Sequence, residues 1–180
     1  ASRVPRAHLL VTLRAGHRAS ATRVREARAA YGDQRRSRAT PTLPAEVVLH
    51  LQRAQRAGEF VAAGRHAAAE RLLRDVAGAL GRRAAWPQCA SVTGRLGRLL
   101  LDRGRASDAV RVFTDGVGSA VAAGEEWLSG ELRIWLAVAR TDAAQLTAAE
   151  SIVRALLLVG ALPVSLRTWA QAVLARVLLC

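Results

Sequence analysis

Four histidines and two cysteines are the side chains of this chain best suited to bind a metal or attack a substrate. No two of His8, His17, His50 and His66 stand three or four positions apart, the helical spacing at which two imidazoles share a zinc ion. His17 and His66 fall in short turns, where a polar ring is easily solvated, and a histidine needs an arranged partner to move a proton. Cys89 lies in the first turn of an expected helix, where a thiol can be activated. No base is identifiable beside it, and a lone cysteine of this kind packs as a small core residue. Cys89 and Cys180 together give no disulfide framework. The run GRLGRLLLDRGR (94–105) is basic and glycine-rich, but it lacks the Gly-Lys-Ser/Thr ending of a phosphate loop and follows no strand. Glu125-Glu126 at a helix start suits the helix dipole better than acid–base work. These residues therefore predict no catalytic centre, no metal and no cofactor.

The elements that would have to position any site are helices. Ala, Leu and Arg dominate, and β-branched residues are a minority, so the chain reads as all-α. Small residues five apart recur every forty positions: Gly64 with Ala69, Gly104 with Ala109, and Ala144 with Ala149. A fixed period of this size marks a stacked-repeat architecture. The apolar spacing predicts helices over 45–63, 66–80, 87–101, 106–123, 125–140 and 145–159, with a last helix opened by Pro163 and Ser165. Gly64, Gly81, Gly124 and Gly160 are expected to end helices, and Trp86-Pro87 to begin one. Turns this short make neighbouring helices antiparallel hairpins. Residues 1–31 read as a degenerate hairpin, in which Gly16 and Ala21 repeat the five-residue offset. Residues 32–44 (GDQRRSRATPTLP) read as a polar linker, and 45–180 as the repeats, about three hairpins plus a final helix.

The formal charge is +13, and all 27 basic residues are arginine. The excess is concentrated in residues 1–44, while 125–180 are neutral. Arg14, Arg18, Arg23, Arg25 and Arg28 could contact nucleic acid through its phosphates. Only Tyr31 interrupts that region with an aromatic ring, so base stacking is poorly supported. A solvated Arg-rich face is the preferred reading, with nucleic-acid binding as the alternative. Arginines break up the start of the chain, and the longest Arg-free apolar stretch, 155–164, is about half the ~20 residues a membrane span needs. A cytoplasmic protein without membrane contact is expected. The absence of methionine, and a last residue inside an apolar helical pattern, lead us to expect a segment of a longer protein.

In its repeats the chain resembles the tetratricopeptide family, in the longer-period form of bacterial signalling and transcriptional regulators. The resemblance rests on Leu96, Gly97, Leu100, Gly104, Ala109 and Phe113; on Ala57, Phe60, Gly64, Ala69 and Leu73; and on Leu136, Ala137, Ala144, Ala149 and Val153. The period of forty exceeds the family's usual ~34, and the proline that often closes each repeat is missing. The resemblance implies a right-handed superhelical solenoid of hairpins whose first helices line a concave groove. The groove positions it implies are Ser91, Arg98 and Asp102, then Glu131, Ile134, Val138 and Asp142, and Leu51, Ala54, Gly58 and Val61 in the earliest copy. Gly97 and Ala109 should let two backbones approach, with Leu96 and Phe113 filling the gap beside them. Trp127, Trp135 and Trp169 are expected to fill core between repeats, although a tryptophan on the groove could anchor a peptide. The implied function is a protein–protein interaction or signal-sensing scaffold within a larger bacterial regulator. Its groove would bind a protein or peptide partner, or adjacent effector domains of the same chain.

Overall fold

The computed structural model describes residues 43–159 and 162–180. The expected N-terminal hairpin, most of the linker and Arg14, Arg18, Arg23, Arg25 and Arg28 lie outside them. Among the described residues the chain is all-helical and has no strand. Seven helices follow in order: α1 (Ala45–Ala62), α2 (His66–Arg82), α3 (Trp86–Asp102), α4 (Ala106–Ala122), α5 (Glu126–Asp142), α6 (Leu146–Leu158) and α7 (Val164–Leu179). They belong to one compact unit, Pro44–Cys180.

The structural period is half the one that the small-residue pairs announce. From α2 to α6 a helix begins every twenty residues, and every connection from α1 to α6 has three residues. Each connection closes by the same pair of backbone bonds. In the first, Arg65 N–H donates to Phe60 O at 2.7 Å and Gly64 N–H to Val61 O at 2.9 Å, the two bonds of a Schellman cap. The cap requires a left-handed residue, supplied by Gly64, Ala84, Gly104, Gly124 and Ala144. The forty-residue pattern is the alternation of hairpins, and the turns between hairpins use the same geometry.

The end expected at Gly81 is corrected by this register. The helix runs on through Gly81 to Arg82, and Ala84 takes the left-handed position at φ +53°. Gly81 instead faces the next helix, where a Cβ would lie 3.8 Å from Cys89 Sγ.

Burial divides the helices into two kinds. The α4 helix buries a narrow stripe, Ala109, Phe113, Gly116 and Ala120, at spacings of four, three and four. In α2, Ala69, Leu73, Val76 and Leu80 repeat that stripe, and Ala149, Val153 and Leu156 do so in α6. Such a stripe is one apolar face turned to a core. The α3 and α5 helices bury far more of their circumference, including Val92, Leu96, Leu99 and Leu100 in α3 and Leu132, Ile134, Leu136 and Ala139 in α5. The contacts explain the difference. Every helix packs on the next in sequence, but α3 also touches α5, and α5 also touches α7.

Close approach between helices depends on missing β-carbons. A Cβ at Gly97 would stand 2.5 Å from Phe113 Cζ, and one at Gly94 would stand 3.0 Å from Leu132 Cδ2. Phe113 itself is wholly buried.

Candidate functional site: the open faces of α3 and α5

The helices that bury most still leave a stripe of matching register uncovered. On α3 it comprises Ser91, Arg95, Arg98 and Asp102, at spacings of four, three and four, with Arg95 half-buried and the others exposed. On α5 the same spacing gives Glu131, Trp135, Val138 and Asp142, of which Asp142 is exposed and the rest half-buried. The two stripes are forty residues apart, position for position, because the turns keep every helix in one register.

Six of the seven positions named from the sequence therefore fall on these stripes. Ile134 is the correction: it is fully buried, in the core cluster with Val153, Ala170 and Val173, because it lies one position round the helix from Trp135. In α1, Ala54 is likewise core at 1 % exposure, while Gly58 and Val61 are exposed and Leu51 is half-buried. Arg95 was missed, and Trp135, expected in the core between repeats, is half-buried on this face. Their signal was available as the middle members of the i, i+4, i+7 series from Ser91 and Glu131.

Arg95, Arg98 and Trp135 give the face its chemistry. The Arg98 guanidinium lies over the Trp135 ring, 5.7 Å from its centroid, within cation–π range. It reaches Glu131 only at 4.0 Å, so the carboxylate neutralises it weakly. Arg95 has no carboxylate partner among the described residues. Burial, and then the charge of Arg98, lower the pKa of Arg95 from the ordinary guanidinium value. A cleft of about 240 Å³ opens beside the pair, lined by Gly58, Val61, Arg95, Arg98 and Asp102 together with the core edge. Trp135 continues the face. Phe113 stacks on one side of it at 6.2 Å, and Trp169 meets it edge-on at 5.1 Å. Asp142 is bonded to Arg176 of α7.

Trp127 departs from its expected place in the core. It is 53 % exposed and, with Val121, Glu126, Arg133, Leu156 and Pro163, it lines a surface cavity of about 620 Å³. The reason is its place at the second residue of α5, beside the turn.

Cys89 and the histidines weighed from the sequence are not paired with one another among the described residues. Cys89 is buried, its thiol near Ala77 O at 3.5 Å and the Thr93 hydroxyl at 4.0 Å, with no base in contact. His66 is exposed at the start of α2. No group of three metal-ligating side chains occurs among the described residues, and none of the described helices is long and apolar enough to cross a membrane.

The densest ion-pair cluster is structural. Buried Glu70 on α2 accepts bonds from Arg74 at 2.9 Å, Arg103 at 2.6 Å and Arg105 at 2.8 Å. Arg105 also binds Asp108, which accepts from Arg111 at 2.6 Å. One carboxylate thus ties the α3–α4 turn down onto α2.

Comparison with protein families, with curated proteins and with solved structures finds no match to this chain.

Proposed function

We propose that the chain is a helical-repeat scaffold that binds a protein or peptide partner along the uncovered stripes of α3 and α5. In this reading the sequential hairpins wind as a right-handed, tetratricopeptide-like solenoid. The scaffold serves as an interaction or signal-sensing module of a larger regulator, passing a change in helix stacking to effector domains attached to it. The observation that carries the reading is the Arg98–Trp135 pair beside Arg95, whose guanidinium is half-buried and has no carboxylate partner. Arginine and tryptophan are the side chains most enriched where interface energy concentrates. Keeping a half-buried cation unpaired has a desolvation cost that an acidic or hydrogen-bonding partner would offset.

Site-specific photocrosslinking in cells tests this. A crosslinking residue at Ser91 or Asp102 is expected to capture one defined partner, and Arg98→Glu introduced alongside it to abolish the adduct. The same residue at Thr114 or Glu150, on helices outside the stripes, is expected to capture none. Adducts formed from Thr114 and Glu150 but not from Ser91 and Asp102 would remove the proposal.

A further inference from the structure

A second cluster of arginines lies elsewhere, between α1 and α2. A cavity of about 510 Å³ there is lined by His50 and Arg53 from α1 and by Arg74, Asp75, Gly78, Ala79 and Arg82 from α2, with Arg83 just beyond it. Four guanidiniums and the Asp75 carboxylate line it, with Glu46 and Glu70 at its edge. Two of the four are already engaged: Arg74 with Glu70 at 2.9 Å, and Arg83 with Glu46 at 2.7 Å and with Ala79 O at 3.3 Å. Arg53 and Arg82 have no bonded partner among the described residues. His50 Nδ1 is buried and also makes no hydrogen bond.

Like charges gathered around a cavity repel one another, and a buried ring nitrogen without a partner is costly. The carbonyl end of α2 accounts for Arg82 and Arg83, since cations are favoured at a helix C-terminus. It does not account for Arg53 and His50, which arrive from the other helix. What the donors share is a fit to one ligand type. Guanidinium forks match the oxygens of a phosphate group, and the His50 ring lines the same space. The volume lies within the usual range for small-ligand sites. Gly78 leaves the α2 wall low, where a Cβ would come 3.5 Å from the Arg82 guanidinium.

We infer that the cavity between α1 and α2 is a phosphate-binding site, in which Arg53, Arg82 and His50 hold the phosphate oxygens and Arg74 is shared between the ligand and Glu70. The phosphate comes from a small phosphorylated molecule or from the phosphodiester backbone of a nucleic acid. The chemistry at the site is the same in both cases. The site is separate from the stripes of α3 and α5 and does not depend on their having a partner.

Inorganic pyrophosphate is the probe, titrated into the full chain by calorimetry in chloride buffer at fixed ionic strength. One saturable site is expected. The variant carrying Arg53→Gln and Arg82→Gln is expected to bind at least about fivefold more weakly, with an unchanged far-ultraviolet dichroism spectrum. Arg154→Gln, which removes an exposed arginine paired with Glu150 on α6, is expected to bind as the unaltered chain does. His50→Gln, which restores a side-chain donor without the ring, should retain more affinity than His50→Leu. No saturable binding, or a smaller loss in the double variant, would overturn the assignment. Displacement of pyrophosphate by a duplex lacking terminal phosphates would identify a nucleic-acid backbone as the source. Failure of the duplex to compete would identify a small phosphorylated molecule.

Discussion

The ring of Phe113 occupies the space that a β-carbon on Gly97 would need, 2.5 Å from Phe113 Cζ. The ring cannot retreat, because it is wholly buried and stacked on Trp135. Replacing Gly97 by Ala gains about 1 kcal/mol of helix propensity but overpacks a closed core, at a cost of about 1–3 kcal/mol. The overpacking term should win, so Gly97→Ala is expected to lower the urea midpoint. Phe113→Leu is itself destabilising, but combined with Gly97→Ala it should cost less than the two separate losses together. A double-mutant cycle with purely additive losses would show that the contact does not set the helix approach.

The five Schellman turns supply an internal comparison. Three carry glycine at the left-handed position, while Ala84 and Ala144 hold φ +53° and +59°. A left-handed alanine costs about 1–2 kcal/mol, partly offset because glycine has more freedom to lose on folding, about 0.4–1 kcal/mol. Ala84→Gly and Ala144→Gly are each expected to stabilise the fold by about 0.5–1 kcal/mol, and Gly104→Ala to destabilise it by a similar amount. Thermal melts of the three variants measure this, and a fall in midpoint for either glycine variant would contradict it.

Glu70 gives the fold a dependence on acid. Burial opposes its ionisation, but the hydrogen bonds from Arg74 and Arg105, with their charge, outweigh burial and hold its pKa below the ordinary carboxylate value. A carboxyl group whose pKa is lowered in the folded state adds stability that is complete above its unfolded pKa. That stability is lost as pH falls through the lower, folded value. Glu70→Gln is expected to cost about 1–3 kcal/mol at pH 7, toward the lower end because Arg74, Arg103 and Arg105 are each a third or more exposed. Below about pH 4 the gap between variant and parent should close. Urea titrations at pH 7 and pH 3 compare the two, and an equal gap at both would assign the loss to packing.

Much of the fold is written locally. The pairs Gly64–Ala69, Gly104–Ala109 and Ala144–Ala149 mark turns and buried contacts correctly, and the helix bounds from apolar spacing lie within about two residues of those observed. The intervening pairs, Ala84 with Cys89 and Gly124 with Ser129, have the same offset. They went unread because alanine does not announce a left-handed turn, and because cysteine and serine hide the small-residue position. Gly81 misled for the complementary reason: a glycine kept for proximity to Cys89 looks like a cap. On the uncovered face, Ile134 and Trp135 differ by one helical step, which separates core from surface and which no residue type reveals. The clamp on Glu70 joins residues more than thirty positions apart, and the cleft of His50, Arg53 and Arg82 needs two helices in register. Neither is visible before the chain has folded.

Because the described helices pack mainly on those one or two places away in sequence, they close no long loops as they assemble. Such a molecule should form quickly, one helix upon the last, and should come apart in the same order when pulled or heated. The three-residue turns then act as stops in a ratchet, so tension applied across these helices would be relieved in steps of about twenty residues.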